Sequence, residues 1–231
     1  MGLLADFSYR TFQPSLVTVY PPKSRLATYN SDQLYLLAKH VKDSSEVLPN
    51  LSGLRLAACV NLSSLSKSIP GLLSRSNLRR LFITNTHKIH KNHLCEIPPR
   101  MTGLEELSLS AVSGVNEEFA YHASKNLQRT LRELDLSFCH DINDRAVEYL
   151  SLGSMQISRL LLAETGITDK ALCHLAEMKR LTYLNLIKNK LTLAAVESLK
   201  AALPYCRIDY KYSDSMSSMG ETFWFVPLDD N

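Results

Sequence analysis

The sequence predicts an α/β solenoid, with short parallel strands stacked along a concave face and helices on the convex face. Three observations predict it. Six stretches share one leucine spacing, and their register residues 54, 81, 107, 134, 160 and 184 stand 27, 26, 27, 26 and 24 apart. The period changes inside each unit: Leu134 and Leu136 sit two apart, as on one strand face, whereas Ile142, Val147 and Leu150 recur at helical spacing. A polar turn separates the two periods, Ile142-Asn143-Asp144 in one unit and Ile167-Thr168-Asp169 in the next. Units of this size cannot bury a hydrophobic face alone, so they stack.

The first unit reads Leu51-Ser52-Gly53-Leu54-Arg55-Leu56 and reaches Cys59 at its ninth position. The later units place Thr86, Val112, Cys139, Thr165 and Asn189 there. With its Cys or Asn at the ninth position and its Ile-Thr-Asp turn, this pattern resembles the leucine-rich repeat family, and the cysteine-containing subtype in particular. The resemblance covers residues 51–210 and implies a right-handed leucine-rich-repeat solenoid. Val112 departs from the pattern and cannot bond to the loop backbone, so the third repeat's turn is expected to be the weakest. The subtype is known from F-box proteins that select substrates for ubiquitin ligases. Residues 1–50 lack the Leu-Pro opening and the Trp of an F-box, and the chain's single Trp is Trp224.

Composition agrees with a repeat protein. At 231 residues the chain exceeds the common single-domain size, but solenoids grow by adding units rather than by enlarging one core. A net charge of +3 is too small for a strong basic field, so no nucleic-acid partner is expected. Five cysteines, with Cys59 and Cys139 at core-facing repeat positions, read as reduced thiols of an intracellular protein. No run is long enough to span a bilayer, and no secretory segment is apparent.

In chain order, residues 1–30 hold Asp6 against Arg10, Lys23 and Arg25, with Pro14, Pro21 and Pro22. Two readings stay open: a mitochondrial transit peptide and an extended, Pro-punctuated arm. Asp6 stands where myristoylation needs Ser or Thr. Residues 31–50 read as a helix that caps the stack, with Ser31 as N-cap, Asp32 in the first turn and Leu34, Leu37, Ala38 and Val41 on one face, ended by Pro49.

Two clusters invite chemistry and are set aside. His87, His90, His93 and Cys95 suggest zinc, but Ile89 and Leu94 take the core positions there, so the histidines scatter around a solvated turn and a short helix cut off by Pro98-Pro99. Asp135, Ser137 and His140 suggest nucleophilic catalysis, with Asp135 and Ser137 both expected on the concave face; nothing places His140 between them. Phosphate-loop, dinucleotide and paired-carboxylate motifs are absent. The chain is read as a non-enzyme without cofactor or metal.

The concave strand positions carry the candidate contact surface. The third position reads Gly53, Arg80, Glu106, Glu133, Arg159, Tyr183; the fifth reads Arg55, Phe82, Ser108, Asp135, Leu161, Asn185; Ile187 stands at a seventh position. Phe82, Leu161, Tyr183 and Ile187 exposed among charges make a protein-binding mixture. Arg80 with Glu106 and Glu133 with Arg159 also stand as cross-strand pairs. The last repeat ends in a helix running to Leu203 before Pro204, and Arg207-Ile208-Asp209-Tyr210 alternates like a final capping strand. The polar tail 211–231 closes with Phe223, Trp224, Phe225 and Leu228, which need a docking place on the last repeat or on a partner.

These readings converge on an interaction module, a scaffold or accessory subunit of an intracellular complex whose partners are other proteins. The resemblance adds two narrower roles, a substrate-recognition subunit in a ubiquitin ligase and an accessory or assembly subunit of a mitochondrial membrane complex. Cytoplasm and mitochondrion stay open.

Overall fold

A computed structural model describes residues 16–19, 52–57, 78–86, 89–153 and 156–210. The proposed capping helix, Cys59, His87 and the tail lie outside the described residues. Eight strands form one sheet in sequential order: β1 (Leu16–Val19), β2 (Gly53–Ala57), β3 (Arg80–Thr84), β4 (Glu106–Ser108), β5 (Glu133–Asp135), β6 (Arg159–Leu161), β7 (Tyr183–Asn185) and β8 (Arg207–Asp209). All neighbours are parallel, and Leu54, Leu81, Leu107, Leu134, Leu160, Leu184 and Ile208 align in a single register row. This is an α/β leucine-rich-repeat architecture. β8 occupies the place expected of the capping strand, and β1 lies within the stretch read as an arm, so the sheet begins upstream of residue 51.

The helices are α1 (Lys91–Cys95), α2 (Ile97–Arg100), α3 (Glu117–Asn126), α4 (Asp144–Gly153), α5 (Asp169–Ala176) and α6 (Leu193–Ala202). Pro98 and Pro99 do not cut a helix off; they open α2, where a missing N–H costs nothing, and Glu96 serves as C-cap of α1 and N-cap of α2.

The register leucines Leu81, Leu134, Leu160 and Leu184 are fully buried, as are Ile142, Val147 and Leu150 from the turn and helix. Ile89 and Leu94 join the same core. Neighbouring units interlock at the ninth position. The Cys139 thiol donates to the carbonyls of Leu109 at 3.1 Å and Val112 at 3.6 Å. Asn189 does more: its amide nitrogen donates to Leu162 O at 2.7 Å and Leu186 O at 3.1 Å, while its oxygen accepts from Thr165 N at 2.9 Å. Val112 is buried, and its turn pairs through backbone instead, Thr86 N donating to Ala111 O and Ser113 N to Thr86 O.

A second ladder joins helix starts. Asn116, Thr168 and Thr192 cap α3, α5 and α6, and Asn143 Oδ1 accepts from Ala146 N at the start of α4. The first-turn acid of one repeat then holds the cap residue of the next. Asp144 accepts from Thr168 N and Thr168 Oγ1, and Asp169 accepts from Thr192 N and Thr192 Oγ1. The Ile-Thr-Asp turn thus both caps its own helix and clamps its neighbour.

Asn85, Ala111, Phe138, Glu164 and Lys188 all have φ between 53° and 61°, one after each strand from β3 to β7. No glycine fills these left-handed positions, so the chain turns off the sheet at some cost in backbone strain.

Candidate functional site

The sheet brings the two predicted rows together. Gly53, Arg80, Glu106, Glu133, Arg159 and Tyr183 are successive register partners, continued by Arg207. Arg55, Phe82, Ser108, Asp135, Leu161 and Asn185 are likewise successive partners, continued by Asp209. The short strands hold these side chains about 4.8 Å apart along the stack.

Phe82, Leu161, Tyr183 and Ile187 are half-buried rather than exposed. The Arg55 guanidinium lies 4.8 Å from the Phe82 ring centre, and its Nε is buried without a hydrogen-bond partner among the described residues. Arg159 pairs with Glu133 at 3.3 Å and also lies 5.0 Å from the Tyr183 ring centre. Tyr183 donates its hydroxyl to Asp209 at 3.0 Å; burial first, then that carboxylate, pushes the phenol up to about 12, so it is a fixed donor. Arg80 faces Glu106 in register, yet the ion pair at this level is made by Arg79 with Glu105 just before the strands. The expected Arg80–Glu106 pair therefore does not close, whereas Glu133–Arg159 does.

Asp135 is held by two bonds, from Ser108 Oγ at 3.1 Å and from Ser137 N at 2.9 Å. Burial raises its carboxyl above the usual range, and these hydrogen bonds only partly oppose that. Asn185 repeats the arrangement two units on, accepting from Ile187 N at 3.0 Å. Glu106 is raised too, first by burial and then by its neighbour Glu133.

Between β2 and β6 the rows line a depression of about 470 Å³. Phe138, Asn85 and Ala111 help to line it, and sequence reasoning missed all three. They stand at the left-handed position after each strand, four residues past the register leucine, and that constant offset was the only available signal.

Two expectations are corrected. Ser137 lies past the end of β5 and is fully buried, so it does not project from the concave face, and Asp135 bonds its backbone rather than a histidine. His140 makes no hydrogen bond to either among the described residues, and no triad forms. His93 is half-buried, with a buried Nδ1 lacking a partner, rather than solvated. His90 Nδ1 accepts from Asn92 N at 3.3 Å and caps α1. Among the described residues no group of three His, Cys, Asp or Glu side chains is gathered closely enough to hold a metal ion. Phe223, Trp224, Phe225 and Leu228 lie outside the described residues.

No protein-family model matches the chain, and no curated protein matches it in sequence. Solved structures do. An internalin from Listeria monocytogenes superposes at a TM-score of 0.50 with 20% identity, over 72% of this chain and 43% of its own. Internalin C2 of the same organism gives 0.50 and 19%, over 79% of this chain and 86% of its own. The chain spans less than half the length of the first of these. The likeness is one of fold, the leucine-rich-repeat solenoid.

Proposed function

We propose that this leucine-rich-repeat chain is a non-enzymatic protein–protein interaction module, acting as a scaffold or accessory subunit of a larger complex, and that its partner docks on the concave sheet. The observation that carries this reading is the pair of register rows. They interleave half-buried Phe82, Leu161 and Tyr183 with charges, of which Glu133, Asp135 and Arg159 are fixed by their contacts, and part of these rows lines a depression of about 470 Å³. Such a surface supplies apolar anchors in a polar surround, and Glu133, Asp135 and Arg159 are pre-organised by their cross-strand contacts, so less ordering entropy is lost there on binding. The absence of an assembled triad at Asp135 leaves the obvious catalytic candidate without its geometry.

The test is co-purification of the tagged full chain with mass spectrometry of its partners, beside a triple variant carrying Arg80→Ala, Glu133→Ala and Tyr183→Ala. Partners lost by a variant that stays folded support the reading. Partners retained in full overturn the concave face as the contact. The identities recovered also separate the general scaffold role from the ubiquitin-ligase and mitochondrial-complex roles.

A further inference from the structure

Resting on that reading, we propose that the depression between β2 and β6 receives a single basic side chain, lysine or arginine, carried by an extended segment of the protein partner.

Among the described residues, Glu106 is the lining acid that no closed ion pair or hydrogen bond engages, although Arg80 and Arg159 attract it through space. It is half-buried in the lining, and among the described residues no hydrogen bond or ion pair within 4.0 Å reaches its carboxylate. Both neighbours in its row are unavailable in different ways. Arg80 faces it in register without closing, and Glu133 on the other side is a like charge already taken by Arg159. Asp135, on the next strand and in the other row, is satisfied by Ser108 and Ser137. Of the two lining cations, Arg159 pairs with Glu133, and Arg55 lies against the Phe82 face with its Nε unpartnered among the described residues; neither closes an ion pair with Glu106. Three acids and two bases line the depression, a surplus of one formal negative charge, and Glu106 is the acid among them without a closed pair.

Docking a partner over this spot removes water, and the cost of that falls on Glu106. An unpaired carboxylate taken out of water is strongly penalised, so a neutral or acidic contact would be resisted and a basic one favoured. The walls specify the shape of that base. Phe82 and Leu161 contribute apolar surface to the same lining, which matches a long alkyl stem with its charge at the tip. The carboxylates are not gathered closely enough to enclose a metal ion instead. An extended carrier is expected because the floor is a parallel sheet whose rows run across the strands, offering successive contacts to a segment lying along them.

The experiment is selection of a display library of random twelve-residue peptides on the immobilised full chain, followed by affinity measurement of enriched peptides on wild type and on Glu106→Gln. The expected result is a Lys or Arg fixed at one position, a fall in affinity of at least about tenfold in the variant, and weaker binding as salt is raised. Glu106→Gln is expected to melt at or above the wild-type temperature, since it removes a half-buried charge. Glu106→Lys, which supplies the cation from the chain itself, is expected to abolish binding too, so the result does not hang on one variant. Enriched peptides with no fixed basic residue, or equal affinity in wild type and Glu106→Gln, overturn the inference. If such peptides are nevertheless lost on the Arg80, Glu133, Tyr183 triple variant, the concave-face reading stands while this inference falls. Failure to enrich any peptide overturns the inference, and partner co-purification then decides the broader reading.

Discussion

The Asp144 carboxylate binds Thr168 twice, accepting from its backbone N at 2.7 Å and from its hydroxyl at 2.7 Å, across a gap of 24 residues. Thr168 in turn caps α5, so the bond fixes where the next helix begins. In a stack whose stability is a sum of nearest-neighbour interfaces, such a clamp belongs to one interface and weakens locally when removed. Asp144→Ala is expected to cost about 1.5 to 3 kcal/mol, the range for hydrogen bonds to a charged group. A double-mutant cycle with Thr168→Val, read by chemical denaturation, should return a coupling energy of at least about 0.5 kcal/mol. Strict additivity would show that the two residues act independently.

Asp135 and Asn185 do the same work at the same register, and this makes Asp135→Asn an informative change. Burial lifts the Asp135 carboxyl above its ordinary 3.8, so the folded chain binds that proton more tightly than the unfolded chain does. Stability from this group is therefore fullest below 3.8 and is lost as pH rises from there through the raised folded value. Glu106 adds a contribution of the same sign. Asn keeps the acceptor for Ser137 N, as Asn185 does for Ile187 N, and cannot ionise. The variant should gain on wild type as pH climbs through that window and hold a constant advantage above it. A difference that stays flat with pH would contradict the account.

The left-handed residues offer a test of backbone strain. Ala111 has φ of 55°, where a Cβ costs about 1 to 2 kcal/mol, while glycine's greater freedom in the unfolded chain returns roughly 0.5 to 1 kcal/mol of that gain. Ala111→Gly should therefore be neutral to about 1 kcal/mol more stable, against the usual direction for such a change. Phe138 at φ 61° makes a poorer test, because glycine there also removes a ring lining the depression. A loss of more than about 1 kcal/mol at Ala111 would refute the strain argument.

Burial pushes the Cys139 thiol up to about 12 and the Cys95 thiol up to about 11, so both stay protonated and covered near neutrality. Cys173 is exposed on α5. Timed alkylation of the native chain, read by peptide mass spectrometry, should modify Cys173 first among the described cysteines and reach Cys139 only on unfolding. Early labelling of Cys139 would mean that its repeat interface opens in the native state.

Much of this fold was legible because leucine spacing reports burial directly: Leu81, Leu134, Leu160 and Leu184 had to share a face, and the register followed. The two concave rows then came for free, since residues one position either side of a register leucine must point the other way. What stayed hidden depends on contacts between units. Whether Arg79 or Arg80 would meet an acid is set by how far each side chain reaches at the strand entrance, and spacing does not encode that. Phe138 and Ala111 carry no glycine signal at their left-handed positions. Pro98-Pro99 reads equally as a helix end and as a helix start, and only the position of Glu96 distinguishes them. Ser137 looked like a strand residue because two-residue spacing was extended past the point where β5 ends.

The most direct test of the concave face as the contact surface is carbodiimide footprinting of carboxyl groups on the full chain, free and with its co-purified partner bound. Glu106 and Glu133, on the concave rows, should lose labelling in the complex, while Glu117 and Glu118 in the first turn of α3 should not change. Unchanged labelling of Glu106 and Glu133, with protection appearing on α3 instead, would place the partner on the convex helices and contradict the account.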